Sequence, residues 1–319
     1  MAYKNHLLSL IVPIYNDSSC VSPFLQRVLP ILETIRNRFS YDFEIIFVMD
    51  PSEDDTEKII LEARHKNHAI KIIKLSRRFG QQPAILAGIF NCQGEACIVL
   101  DVDLQDPPEL MIEMMEKHLT GPYNVVYAVR TKRLGEPWTK RFLTSIGYSV
   151  MNKLSSIEIP KNAGDFRLID RRVIEELHKL NERHGFFRGL VPFVGFRQTA
   201  VYFERQPRST GATKYNYYIG SITNGMNALV CFSNKLLMLA AITGLVLFFL
   251  SIVLSLVVVY LKFVVRLPFA SGIATVMILI VFASGLQSFF VGILGMYIGR
   301  IYDETKQRPL YIIDKKEGF

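Results

Sequence analysis

Apolar and polar positions alternate in blocks over the first ~200 residues. Five short, mostly apolar runs read as strands: Leu8–Ile14, Phe43–Met49, Ile70–Leu75, Ala96–Leu100 and Asn124–Val129. The segments between them carry helical spacing. Ser22–Arg38 places Phe24, Val28, Ile31, Leu32 and Ile35 on one face. Asp54–Lys66 follows with Asp54 or Asp55 as a cap, then Gln82–Asn91 and Pro108–Leu119. Strands alternating with helices predict an α/β domain with a mostly parallel sheet. Ligands of such sheets bind beyond the carboxyl ends of the strands. Asn16, Asp17, Asp50, Asp101, Asp103 and Arg130 all fall at those ends.

The pattern changes near the C-terminus. Leu236–Leu261 and Leu267–Gly299 contain no charged residue. Each exceeds the roughly 20 residues needed to span a bilayer as a helix. The two expected spans, 236–261 and 270–298, form a hairpin around Lys262 and Arg266, which leaves both chain ends on one side. Basic residues flank the hairpin (Arg205, Arg208, Lys214 and Lys235 before it, Arg300, Lys306, Arg308, Lys315 and Lys316 after it). That bias places the termini and the α/β domain on the cytoplasmic side of a plasma or inner membrane. Glu136–Leu154 has apolar residues at four-residue spacing mixed with Lys140, Arg141 and Lys153. It reads either as a helix on the domain core or as an interfacial helix. Tyr215–Phe232 leads into the first span and reads as interfacial. Gly285, Gly292, Gly295 and Gly299 permit close helix packing, and with it a homo-oligomer.

Composition agrees with a membrane component: 50% of residues are hydrophobic and the mean hydropathy is +0.23. The net charge of +8, beside membrane spans, favours anionic lipid surfaces and phosphorylated substrates over nucleic acid. The four cysteines show no metal-type spacing, and no secretory signal is expected: the first apolar run, Leu7–Tyr15, is short, contains Pro13 and lacks a small-residue cleavage site, and it reads as a buried strand.

The densest chemistry lies in Asp101–Glu109, DVDLQDPPE, directly after an apolar strand. On an extended chain, residues i and i+2 share a side, so Asp101, Asp103 and Gln105 offer oxygens together. Hard cations such as Mg²⁺ or Mn²⁺ take such ligands and share themselves with substrate phosphates. Asp106 reads as an N-cap, with Pro107 or Pro108 at the first helical position.

Several ordered blocks carry a resemblance: VPIYND (Val12–Asp17), FVMDPSEDDT (Phe47–Thr56), LSRRFGQQPAILAGI (Leu75–Ile89), DVDLQDPPE, NAGDFRLIDR (Asn162–Arg171), FRGLVPFVGF (Phe187–Phe196), RQPRSTGATKY (Arg205–Tyr215) and FSNKLL (Phe232–Leu237). Together with the hairpin, the chain resembles family 2 glycosyltransferases of the polyprenyl-phosphate type. These include dolichol-phosphate mannosyltransferases and bacterial undecaprenyl-phosphate glucosyltransferases. The resemblance implies a GT-A type domain over 1–204, a donor-closing loop and interfacial helix over 205–235, the two spans, and a cytoplasmic tail over 300–319. It also implies a nucleotide-sugar donor, a polyprenyl phosphate acceptor and a divalent metal. Pro13, Tyr15, Asp17 and Asp50 would cradle the base and ribose. Asp101 would hold the donor side, with Asp103 and Gln105 as direct metal ligands. Arg208 and Lys214 would close over the diphosphate. Arg130, Arg141 and Ser145 would meet the lipid phosphate. Asp165 would stand near the reacting sugar. A processive polysaccharide synthase is the rival enzyme, but the only tryptophan, Trp138, is misplaced for its Gln-x-x-Arg-Trp motif. A catalytically silent scaffold is the rival from another class.

Overall fold

A computed structural model describes residues 6–132, 163–180, 187–204 and 272–319, with scattered positions between 237 and 264. The expected elements form. β1 (His6–Ile14), β2 (Tyr41–Met49), β3 (Ile70–Leu75) and β4 (Ala96–Val99) alternate with α1 (Ser18–Phe39), α2 (Thr56–Lys66) and α3 (Gln81–Asn91). Then come α4 (Leu110–Thr120), β5 (Val125–Lys132), β6 (Ala163–Asp170), α5 (Arg171–Lys179), α6 (Phe187–Val194), β7 (Gln198–Glu204), α7 (Ile273–Thr305) and β8 (Ile313–Glu317). One eight-stranded sheet has the order β7-β5-β6-β4-β1-β2-β3-β8.

Period-two alternation explains the layering. Leu8, Leu10, Val12 and Ile14 of β1 point into one core with Phe24, Val28, Leu32 and Ile35 of α1 and Met111, Met114 and Met115 of α4. Ile11 points the other way, into a second core with Ile85, Leu86 and Ile89 of α3 and Val173 and Leu177 of α5. Each fully buried side chain of this size stabilises the fold by about 1.5–3 kcal/mol. Gly88 lets α3 approach the sheet closely: a Cβ there would lie 2.3 Å from Ile11 Cγ2 and 3.0 Å from Val48 Cγ2.

β1, β2, β3 and β4 are parallel neighbours, as are β5 and β7. β6 runs antiparallel to both β4 and β5. Its first residues therefore lie at the edge where β4 and β5 end. All eight residues of β6 are buried, including Asp165, Arg167 and Asp170. Asp170 closes the strand and caps α5, accepting from Val173 N at 3.0 Å.

Several expectations need correction. Asp106 is not a helix cap. α4 begins at Leu110, after a turn in which Leu110 N donates to the Pro107 carbonyl at 3.2 Å. Asp165 stands inside β6, and Arg130 lies within β5, not just past its end, since the strand runs on to Lys132. The expected tail over 300–319 first continues α7 to Thr305. It then forms β8, antiparallel to β3 with Lys315 opposite Lys74.

α7 is a continuous helix of 33 residues, about 50 Å long at 1.5 Å per residue. Val276, Leu279, Ile280, Phe289, Val291 and Ile298 on it are exposed. Among the described residues no helix is long and apolar enough to cross a membrane; several α7 side chains lie outside that set. The first expected span is described only at scattered helical positions. Glu136–Leu154 and Tyr215–Phe232 lie outside the described residues.

Candidate active site

The chain runs from β1 outward to β2 and β3, then returns to the other side of β1 as β4. Such a reversal opens a crevice at the carboxyl ends of the two central strands. The β1–β4 ladder stops early: Leu100 N donates to the Ile11 carbonyl at 3.0 Å, and the pairing goes no further. Pro13 shares Ile11's orientation two residues later. Its missing N–H thus faces the side that β4 no longer covers, which is where a proline fits in a strand.

On the β1 side of the crevice, Tyr15, Asn16 and Asp17 form the loop before α1. Asn16 adopts φ 50°, a conformation Asn tolerates better than most residues. Its Oδ1 accepts from Glu53 N at 2.8 Å, and its own N–H donates to Ser52 Oγ at 3.1 Å. Asp17 N donates to Thr56 Oγ1 at 3.1 Å. These bonds lace the loop after β1 to the loop after β2.

On the β4 side, the segment after Val99 turns instead of staying extended. Asp103 Oδ1 accepts from Gln105 N at 3.2 Å, and Leu104 is held at φ 55° with its side chain buried. The simple i, i+2 alternation expected for Asp101, Asp103 and Gln105 is therefore corrected: the segment turns after β4 and does not stay extended. The last β4–β6 pair sets Val99 opposite Arg167, and just beyond it the Asp101 and Asp165 carboxylates lie near enough for their charges to interact.

The loop from β3 to α3 is the hub of the site. Asp50, buried at the end of β2, accepts from Phe79 N at 3.0 Å and Gly80 N at 2.9 Å. Gly80 has φ 95°, which only glycine adopts without strain. Asp50 thus fixes the loop, a role beyond the base or ribose contact expected of it. Arg78 of the same loop lies over the Tyr15 ring at 4.2 Å from its centroid. At the start of α3, Gln81 Nε2 donates to Asp101 Oδ1 at 2.9 Å, and Gln82 Nε2 donates to Asp165 Oδ2 at 3.3 Å. Gln82 Oε1 accepts from Phe187 N at 3.1 Å.

Charge is distributed unevenly here. Arg188, on the first turn of α6, grips Asp165 with Nε at 2.9 Å and Nη2 at 2.8 Å. Burial pushes the Asp165 carboxyl up, but the Arg188 and Arg167 cations and the hydrogen bonds to Arg188 and Gln82 outweigh it and hold it below the usual carboxylate range. Arg167 is itself buried, donates to the Gly164 carbonyl at 2.8 Å, and is pushed down to about 10, chiefly by burial. Arg130 pairs with Asp106 through Nη2 at 3.0 Å and 3.1 Å. Asp101 has no such cation. Burial, then the charges of Asp165, Asp103 and Asp106, push its carboxyl up to about 7, with Arg188 only partly offsetting them.

That excess of carboxylate fits a cation. Among the described residues no group of three His, Cys, Asp or Glu side chains is placed to hold one alone. A divalent ion here would rest on Asp101, Asp103 and Gln105 and on oxygens from outside the protein, the few-ligand coordination usual for Mg²⁺.

The structure brings together Asp101, Asp103, Asp106 and Asp165, joined through the hub loop to Asp50 and Tyr15. Arg141, Ser145, Arg208 and Lys214 lie outside the described residues. Gln81, Gln82 and Arg188 also belong to the site, although in the sequence they stand only inside longer blocks. A glycine followed by two amide side chains at a helix start was the available signal.

Residues 9–178 match Glycosyl transferase family 2. The uncharacterized glycosyltransferase YkcC of Bacillus subtilis (strain 168) is 40% identical over 310 residues, 97% of this chain and 94% of that protein. A prophage bactoprenol glucosyl transferase homolog of Escherichia coli (strain K12) is 33% identical over 97% of this chain and 98% of its own length. Among solved structures, a mannosyltransferase from Pyrobaculum calidifontis in complex with GDP-Man and Mn²⁺ is similar at 16% identity and TM-score 0.45, covering 72% of this chain and 63% of that one. With a family match over residues 9–178 and full-length relatives at up to 40% identity, the chain belongs to glycosyltransferase family 2 and is a glycosyltransferase.

Proposed function

We propose that this enzyme transfers a sugar, with glucose the leading case, from a UDP-sugar to undecaprenyl phosphate at the cytoplasmic face of the membrane. The observation that carries this reading is full-length similarity to bactoprenol glucosyl transferases, which spans the catalytic domain and the uncharged C-terminal segments alike. The uncharged run Leu267–Gly299 and the exposed apolar side chains of α7 support a membrane anchor. With α7 as one arm of a two-span hairpin, the lipid tail stays in the bilayer and only its phosphate has to reach the crevice.

In the reaction, an oxygen of the polyprenyl phosphate attacks the anomeric carbon. The bond from that carbon to the diphosphate breaks, and its electron pair leaves with UDP. A single displacement inverts the anomeric centre. A phosphate monoester has a second pKa near ~6, so it is largely dianionic at neutral pH and needs no strong base. This suits the state of Asp165, which is held ionised by Arg188 and occupied by three donors. Its work is orientation, not proton abstraction. Asp50 fixes the hub loop, and Gln81 orients Asp101. A divalent cation on Asp101, Asp103 and Gln105 would neutralise charge building on the leaving diphosphate.

Incubating purified protein and Mg²⁺ or Mn²⁺ with undecaprenyl phosphate and a panel of UDP- and GDP-sugars tests this, with the lipid product detected by mass. A hexose from a UDP-sugar on the lipid is the expected product. Transfer from GDP-sugars only would correct the donor. Metal-dependent nucleotide binding without any lipid product would favour the silent scaffold.

A further inference from the structure

Two features of the Asp165–Arg188 pair are unequal. The Asp165 side chain is 2% exposed, whereas that of Arg188 is 32% exposed. The carboxylate is thus sealed in the sheet while the arginine side chain that it grips is partly exposed. The grip uses Nε and Nη2 as a fork, which fixes the plane of the guanidinium. The helix start carrying Arg188 is pinned as well, because Gln82 Oε1 holds Phe187 N while Gln82 Nε2 holds Asp165. Arg188 lies close enough to Asp101 for its charge to act on that carboxylate. Arg167 is buried beneath, over the Phe187 ring, and Arg130 is tied to Asp106. A cation this firmly held at the rim of an acidic crevice is suited to an anionic oxygen of the substrate.

We propose that Arg188 is a substrate-contacting residue that binds a phosphate oxygen in this crevice, and that Asp165 and Gln82 are the residues that position it. The inference rests on reading the site as a glycosyl-transfer centre. The phosphate belongs either to the donor diphosphate or to the lipid acceptor, and the two are separable by experiment.

The test uses the full-length protein in detergent with Mg²⁺, UDP-glucose and undecaprenyl phosphate, together with UDP binding by calorimetry. Arg188→Gln is expected to lower kcat/KM by about 10²–10³-fold, the usual cost of losing one donor to developing or resident oxyanion charge. Arg188→Lys keeps the charge for Asp165 and guards against misfolding; it is expected to recover about tenfold of that loss. Methylguanidinium is expected to restore part of the activity of Arg188→Ala, which a purely structural role would not allow. Weakened UDP binding assigns the donor diphosphate. Unchanged UDP binding with a raised KM for undecaprenyl phosphate assigns the acceptor. The proposal is overturned if Arg188→Gln stays within about threefold of wild type for both substrates. It is also overturned if the loss tracks thermal unfolding with no rescue by lysine or methylguanidinium. If the wild-type protein transfers nothing, the glycosyl-transfer reading fails first, and unchanged binding of both UDP and undecaprenyl phosphate by Arg188→Gln then overturns this proposal too.

Discussion

Asp101, just beyond the end of β4, and Asp165, in neighbouring β6, lie close enough for their charges to act on each other, yet their surroundings differ sharply. Asp165 receives a guanidinium fork, an amide and a second arginine nearby. Asp101 receives one neutral amide from Gln81 and the repulsion of three other aspartates. One carboxylate is held below its ordinary pKa and the other is pushed up to about 7. Carboxylates driven apart in this way mark different roles. Asp165 has its counter-charge built into the fold. Asp101 has no built-in cation of that kind, which is what the proposed metal–diphosphate site requires.

The largest effect should come from the side that awaits its cation. Asp103→Ala is expected to reduce transfer by at least about 10³-fold while the far-ultraviolet circular dichroism spectrum stays native. Full turnover by this variant would remove the basis for the site.

Next in size is a contrast in stability. Asp165→Asn leaves Arg167 and Arg188 without their carboxylate and should cost about 3–5 kcal/mol. Asp101→Asn removes an uncompensated charge and should stabilise the ligand-free protein. The sign follows from linkage. Because the folded pKa of Asp101 is raised, the folded state binds more protons between about pH 4 and 7, so its stability falls as pH rises through that window. The gain from Asn is therefore complete above pH 7 and vanishes near pH 4. Asp165, with a depressed pKa, contributes stability above its unfolded pKa that is lost as pH falls through the folded one. Thermal melts of both variants at pH 8 and pH 5 check this; a shift of the same sign in both would break the comparison.

A smaller effect concerns metal uptake. Below pH 7 a cation must displace a proton from Asp101, so affinity for Mg²⁺ should fall by up to about tenfold per pH unit. Calorimetry at pH 6 in buffers of different ionisation enthalpy reads the released proton directly. The smallest effect lies away from the site: Gly88→Ala crowds Ile11 and Val48 and should cost about 1–3 kcal/mol. That loss in thermal stability should leave the contrast between Asp101 and Asp165 unchanged.

Much of this was legible in the sequence. Apolar runs gave β1 to β5, and the spacing of Phe24, Val28, Ile31, Leu32 and Ile35 gave α1, all five side chains being buried. DVDLQD after a strand marked the acidic edge. The rest depends on tertiary partners. β6 carries three buried charged residues and looks like a loop until Arg188 and Asn124 supply their partners. IDKKE of β8 has no strand-like pattern and becomes a strand only by pairing with β3. Leu104 at φ 55° breaks the alternation that an extended reading assumes. The amides of Gln81 and Gln82 matter because of their distant partners Asp101 and Asp165, which no spacing rule reveals.

The most direct test of the central claim is UDP binding to wild type and Asp101→Asn, each with Mg²⁺ and with chelator. The account predicts that wild type binds UDP tightly only with Mg²⁺, and that Asp101→Asn loses that dependence together with the tight binding. Equal UDP affinity in all four conditions would contradict it.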